Sequence, residues 1–294
     1  MSQRIDSDRS PASPRPPASL SAPVAAPVAP PVAAPLAAPA APDGRGSDRS
    51  FRSALARVLD TVVAPCAERA ARHDAFPRSS VDALGRAGLL GLTASAELGG
   101  GGQGVAEAAE VVAEVARACP ATAAVLRSHY AAAAVIEAHG TRWLRGELAA
   151  GRHLSTLALS DQTDGAEPAP TATRYGNVVA LRGCKRPVVA AGEADSYVWS
   201  SRALDGAEGL TLWLVPAFAP GLFVPFRPDG DAPRGSATST VRADPARIPA
   251  AAQLGGNGLA LETVLDTVTP WLAAHEAAAE AAAEAEAAAV PSRA

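Results

Sequence analysis

The sequence predicts an α+β chain: an all-helical N-terminal domain, a small antiparallel β-barrel or sandwich, and a truncated C-terminal helix. Three observations carry that prediction. Apolar residues recur at helical spacing from about residue 48 to 150, the period shortens towards two after Gly151, and helical spacing returns at Leu259. A Pro/Ala-rich stretch precedes them, so the expected divisions are an arm over 1–47, a helical domain over 48–150, a β domain over 151–250 and a helical segment over 251–294.

In the arm, proline every few residues removes backbone donors and favours polyproline II; without aromatics the segment buries too little surface to offset its ordering entropy, which predicts disorder. Phe51, Leu55, Val58 and Leu59 then mark a helical face that Val62 and Val63 continue and Pro65 closes or bends. In FPRSSVDALGRAGLLGL, Ser79 or Ser80 is the expected N-cap and Gly85 a weak point. Residues 99–102 are four glycines, with positive φ open to each. Two helices broken at Pro120 and a short third in RWLRGELAAG complete the helical part. LSTLALS, NVVALRG, SYVWSSR, LTLWLVP and STSTVRA read as strands. The final Ala/Glu-rich helix has almost no large apolar stripe, so it is expected either to fray or to pack against something small.

Composition excludes several functions. The 294 residues carry 26 Lys+Arg against 30 Asp+Glu, a formal net charge of −4, which lacks the basic footprint of a nucleic-acid binder. The prolines interrupt any apolar run long enough for a span, and the opening MSQRIDSDRS does not resemble a secretory leader; a soluble cytoplasmic protein with no membrane partner is the expectation. Cys66, Cys119 and Cys184 lie too far apart for a CxxC site or a disulfide framework. His73, His129, His139, His153 and His275 have no HxxxH or HxH spacing, so solvated or core histidines are expected rather than a metal site. Ser160-Asp161 lacks a nucleophile elbow, and Gly255, Gly256 and Gly258 read as a turn feeding a helix rather than a phosphate loop. Asp164, Glu167 and Glu262 are candidates for a base only as solvated loop carboxylates. Lys185 is the only lysine, and a lone lysine is expected at the surface.

Seven strings, in order, resemble one family: FPRSSVDALGRAGLLGL, ELGGGG, AAGRHLSTLALSDQTDG, RGCKRPVVAAGEADSYVW, LWLVPAFAPGL, RGSAT and ARIPAAAQLGGNGLALETVLDTVTPWLAA. Together, over about residues 51–280, they resemble the acyl-CoA dehydrogenases. The resemblance implies α,β-dehydrogenation of an acyl thioester, on CoA or a carrier protein, with hydride transfer to FAD. It places the cofactor against Leu157, Leu159 and Ser160, and against Pro187, Val188 and Val189. It places substrate near Asp266 and Thr269.

Departures from the family pattern weaken that site. Gln162, Thr163 and Ala166 replace its Pro, Gly and Ser; Pro187 cannot stack as its Trp does, and Val189 lacks the hydroxyl of its Thr. At about 1 kcal/mol each, such losses sum to roughly two decades of flavin affinity. Asp266 and Pro270 match the family, but Thr269 stands where it has Arg. The resemblance assigns the catalytic glutamate to a further helical domain beyond residue 294, so no catalytic residue is expected within this chain. The expectation is therefore a flavoprotein that needs a partner chain, such as a second acyl-CoA dehydrogenase-like subunit. Its alternatives are a degenerate, non-catalytic family member that serves as a partner subunit or is a remnant, or a flavin monooxygenase of the same fold.

Overall fold

The computed structural model describes residues 44–161, 169–225 and 232–289. The expected arm therefore lies outside the described residues as far as residue 43, as do Gln162, Thr163, Asp164, Ala166 and Glu167.

Among the described residues six helices come first: α1 (Gly44–Val58), α2 (Ala64–His73), α3 (Arg78–Arg86), α4 (Val105–Ala118), α5 (Pro120–His139) and α6 (Arg142–Ala149). Pro65 neither closes nor sharply ends the first helix. A π-helical turn at Leu59–Val63 joins α1 to α2 with helical dihedrals at Val58 and Ala64, so Pro65 enters in the first turn of α2, where its missing N–H costs least. Neither Ser79 nor Ser80 caps α3. Pro77 occupies that position, and Ser80 is buried inside the helix with no partner for its hydroxyl among the described residues. Pro120 does divide α4 from α5, where its fixed φ starts the second helix.

Gly85 is not merely a weak point. A Cβ built there would stand 2.6 Å from the Gly151 carbonyl oxygen, and one built on Gly151, whose φ is +66°, would stand 2.5 Å from that of Gly85. Two bare backbones thus touch where α3 meets the loop leaving α6. In the glycine run only Gly99 and Gly102 use positive φ; Gly100 and Gly101 are needed for space, against the carbonyls of Ala94 and Leu92.

The eight strands among the described residues are β1 (Ser155–Ala158), β2 (Thr171–Tyr175), β3 (Val178–Val188), β4 (Ser196–Arg202), β5 (Leu210–Pro216), β6 (Leu222–Phe223), β7 (Ser239–Pro249) and β8 (Gln253–Leu254). They form two four-stranded sheets, ordered β1-β4-β5-β8 and β2-β3-β7-β6, that do not close into a barrel. The expectation of an all-antiparallel unit is also corrected, because β1 pairs parallel to β4 with Ser155 opposite Ser196. Between β1 and β4 the chain crosses into the other sheet to build the β2–β3 hairpin, so it re-enters the first sheet in the same direction. Central strand β4 is buried on both faces from Ser196 to Ser201. One apolar cluster runs from the N-terminal helices into both sheets, and a second surrounds the end of α5, with Leu144, Leu148, Val198 and Leu212.

After a turn that the Asn257 side chain ties to Leu204 and Thr211, the chain ends in α7 (Ala260–Thr263), a π turn at Val264–Val268 and α8 (Thr269–Ala289). The Ala-rich α8 packs on α4 and α5, where small side chains permit close approach. His275 is 1% exposed within that contact, its ring 6.1 Å from that of Tyr130 and 6.2 Å from that of Trp271. Neither ring nitrogen has a partner among the described residues. His129 is equally buried but satisfied: Nε2 donates to the Leu90 carbonyl (3.0 Å), and Nδ1 accepts from the Ser155 N–H (3.2 Å). Among the described residues no helix is long and apolar enough to cross a membrane, no cluster of ligands could hold a metal ion, and no cysteine is in a disulfide.

Two predictions follow from the packing. Gly85→Ala drives a methyl group into the Gly151 carbonyl and is expected to cost about 1–3 kcal/mol, read as a lower urea midpoint. Burial pushes both His129 and His275 down to about 4, the latter helped by the charge of Arg127. An unfolded histidine titrates near 6.5, so the unfolded chain binds more protons between those values. Their stabilisation is complete above about pH 6.5 and is lost as pH falls towards 4, at up to about 1.4 kcal/mol per pH unit for each histidine. His275→Leu is expected to raise the urea midpoint at pH 7 and to make its fall between pH 7 and pH 5 shallower. Identical pH slopes in the two proteins would contradict this account of His275.

Candidate functional site

Helix α5 lies against β1, and three hydroxyl-mediated bonds lock them to the residue that follows β3. The Leu157 N–H donates to Ser128 Oγ (3.1 Å), Ser128 and Thr156 hydroxyls meet at 2.7 Å, and Thr156 donates to the Val189 carbonyl (2.9 Å). Each hydroxyl has one proton, so the direction is fixed: Thr156 spends its proton on Val189, and Ser128 donates to Thr156 while accepting from Leu157. Ser128 and Thr156 are 7% and 1% exposed, so the bond between their hydroxyls is buried, while the bonds to Leu157 and Val189 are part-buried at the cavity wall.

These bonds frame a cavity of about 490 Å³. Ala124, Arg127 and Ser128 line it from α5, Leu157 from β1, Ser160 from the residues just beyond it, and Pro187 and Val189 from the end of β3. Ala232, Pro233 and Thr238 close another side, and Leu272 of α8 the last. Among the described lining residues the walls are mainly apolar, with hydroxyls from three segments and one cation, Arg127. Arg127 is partly offset, because its guanidinium pairs with Glu276 of α8 at 3.1 Å. No described residue lining the cavity is a carboxylate.

Lys185 corrects the expectation of a surface lysine, being 1% exposed. Its Nζ donates to the Leu159 carbonyl (3.2 Å), Asp161 Oδ1 (2.5 Å) and Ser200 Oγ (2.7 Å), and lies 5.3 Å from the Trp199 ring centre. Burial lowers the tendency of this ammonium to keep its proton, while the Asp161 carboxylate opposes that effect.

Of the residues assigned to cofactor, Leu157, Ser160, Pro187 and Val189 meet at the cavity. Val188 does not; it is buried in the main apolar cluster, because adjacent strand residues point to opposite faces. Leu159 packs against the second cluster and contributes its carbonyl to Lys185. Asp266 and Thr269, assigned to substrate, are exposed in and just after the π turn and do not line the cavity; the Thr269 hydroxyl is spent on the Val264 carbonyl at 3.0 Å. Glu262 is likewise exposed. Sequence reasoning missed Arg127, Ser128, Thr156 and Leu272. Ser128 and Thr156 carried only the weak signal of hydroxyls within apolar runs.

Comparison with known proteins accords with this architecture. Residues 46–150 match the acyl-CoA dehydrogenase N-terminal domain. The mitochondrial isovaleryl-CoA dehydrogenase of Pongo abelii is 27% identical over 221 residues, covering 70% of this chain and 52% of its own length. The chain spans about half the length of the curated relatives it matches. Butyryl-CoA dehydrogenase from Megasphaera elsdenii superposes with a TM-score of 0.72 at 21% identity, over 84% of this chain and 69% of that one. KijD3, in complex with FMN and a dTDP-linked amino-keto sugar, superposes with a TM-score of 0.69 at 25% identity, over 87% of this chain and 66% of its own. The N-terminal domain match over residues 46–150, the 27% identical curated relatives and the shared fold together support kinship with the acyl-CoA dehydrogenase family.

Proposed function

We propose that the cavity between α5, β1 and the end of β3 is a flavin site, and that this chain supplies the flavin-binding part of an acyl thioester α,β-dehydrogenase. The observation that supports this reading is convergence: Leu157, Ser160, Pro187 and Val189 come from two separated strings and meet on one cavity. The residues present suit such a group. Leu157, Pro187, Val189 and Leu272 offer apolar walls to an aromatic ring system, Ser160 and Thr238 offer hydroxyls to its polar edge, and Arg127 offers positive charge. When bound, FAD would supply the hydride acceptor. The chain's own part is to orient and to keep water out, since the relay through Ser128 and Thr156 holds Leu157 and Val189 at fixed spacing across the cavity.

Removal of the α proton needs a base, and no described lining residue provides one. The reading therefore places the carboxylate outside the described lining residues, with a partner chain such as a second acyl-CoA dehydrogenase-like subunit as its proposed source. The substrate is an acyl thioester of CoA or a carrier protein. The same lack of a carboxylate favours a second reading, in which the chain is a non-catalytic partner subunit that holds flavin or none.

Titration of FAD and FMN into the purified chain, followed by quenching of flavin fluorescence, tests the proposal. Weak but saturable binding is expected for the native sequence. The double variant Pro187→Trp, Val189→Thr restores a stacking face and a donor, and is expected to bind at least tenfold more tightly. Absence of quenching in both proteins sinks the flavin reading. Turnover of butyryl-CoA with an artificial electron acceptor is expected to be nil for the chain alone, and measurable turnover would overturn the need for an external base.

A further inference from the structure

We propose that Lys185 is the positioning residue of this cavity: its buried ammonium clamps the backbone at Leu159–Asp161 and so fixes where Ser160 stands on the rim. The need for such a clamp is topological. Pairing of β1 with β4 ends at Ala158 opposite Trp199, so the next three residues leave the sheet just where the cavity opens. Two of the three acceptors of Lys185 lie in that short segment, the Leu159 carbonyl and Asp161 Oδ1. The third, Ser200 Oγ on β4, itself donates to the Leu159 carbonyl at 2.9 Å, which closes a ring of bonds around one carbonyl. The residue between is held as well, since the Arg186 N–H donates to the Ser160 carbonyl at 3.0 Å. The next residue, Pro187, lines the cavity, so one stretch of β3 both fixes the opposite rim and forms its own.

The residue type fits this task. Every other long cation in the sequence is arginine, yet here three acceptors surround one point, which matches the three protons of an ammonium and not a planar fork. A purely structural role would predict a different outcome on substitution. Buried charges are frequently no better for stability than an apolar group of similar length, so Lys185→Met can leave global stability unchanged or higher while releasing the rim. Asp161 is half-exposed at 45% and is hydrated by solvent when its partner is removed.

Hydrogen exchange of the native chain, Lys185→Met and Asp161→Asn tests the proposal, alongside urea unfolding and FMN titration. Exchange across residues 159–161 is expected to accelerate at least tenfold in Lys185→Met and about threefold in Asp161→Asn, with α4 and α5 unchanged. FMN affinity is expected to weaken by the same order in each. The affinity arm rests on the flavin reading; the exchange arm does not, and if the native chain binds no flavin the exchange result alone decides. Unchanged exchange at 159–161 in folded Lys185→Met overturns the proposal, as does faster exchange with FMN affinity intact. If Lys185→Met does not fold, Asp161→Asn, altered at the solvent end of the clamp, decides on the same criteria.

Discussion

The hydroxyl relay from Leu157 through Ser128 and Thr156 to Val189 is the constraint on which the rest of the site depends. It joins a helix, a strand of one sheet and the end of a strand in the other, all in a few ångströms. Buried polar atoms without partners are costly, so each member holds the others in place. The relay also forces a gap. Ser128 and Thr156 have their hydroxyls turned towards each other, leaving the flanking Ala124, Leu157 and Val189 side chains to form walls with space between them. Because the sheets are two separate layers and not a closed barrel, the relay joins β1 to the end of β3 together with the bonds from Lys185 and Arg186 to the residues just beyond β1.

Around that frame the fold relies on close approach more than on large side chains. Gly85 and Gly151 meet backbone to backbone, Gly100 and Gly101 lie under the carbonyls of Ala94 and Leu92, and the Ala-rich α8 lies on α4. Such contacts tolerate no added methyl group at the glycines, yet individually bury little area. The large aromatics are spent elsewhere: Trp199 and Trp213 face each other across β4 and β5, and Tyr130 donates to the Leu89 carbonyl at 2.7 Å. Tyr130 thereby ties α5 to the segment after α3, and His129 ties the same helix to Leu90 and to β1. Two adjacent residues on α5 thus settle its rotation, which is what brings Ser128 onto the relay.

The helical part was legible because its period is. Phe51, Leu55 and Val58 are buried as their spacing requires, and Pro120 separates two helices. Five strands were legible from alternation, but β2 was not, since Thr171–Tyr175 is polar and largely exposed, and β6 and β8 are two residues each. The parallel pairing of β1 with β4 leaves no trace in a local pattern, because alternation reports a face and not a direction. In the site, LALS and RPVV pointed to the cavity only through family resemblance. The burial of Lys185 had no local signal, since its partners Asp161 and Ser200 lie 24 residues before and 15 after it. Assignment of Thr269 to substrate passed over the π turn, which spends that hydroxyl on Val264.

Helix α8 adds a further constraint on what the cavity can hold. Leu272 forms one wall, and one turn later Glu276 pairs with Arg127, the cation among the described lining residues. Both partners are exposed, so the pair itself is weak and an anionic ligand could compete for Arg127 at little cost. Leu272 cannot retreat so easily, because His275 on the same helix is buried against Tyr130 and Trp271. The helix therefore yields charge readily and shape reluctantly. On the proposed flavin reading, a ligand would be selected first by whether its rigid part fits between Leu157, Val189 and Leu272, and only then by its charge, which is the order expected of a planar ring that carries a flexible anionic tail.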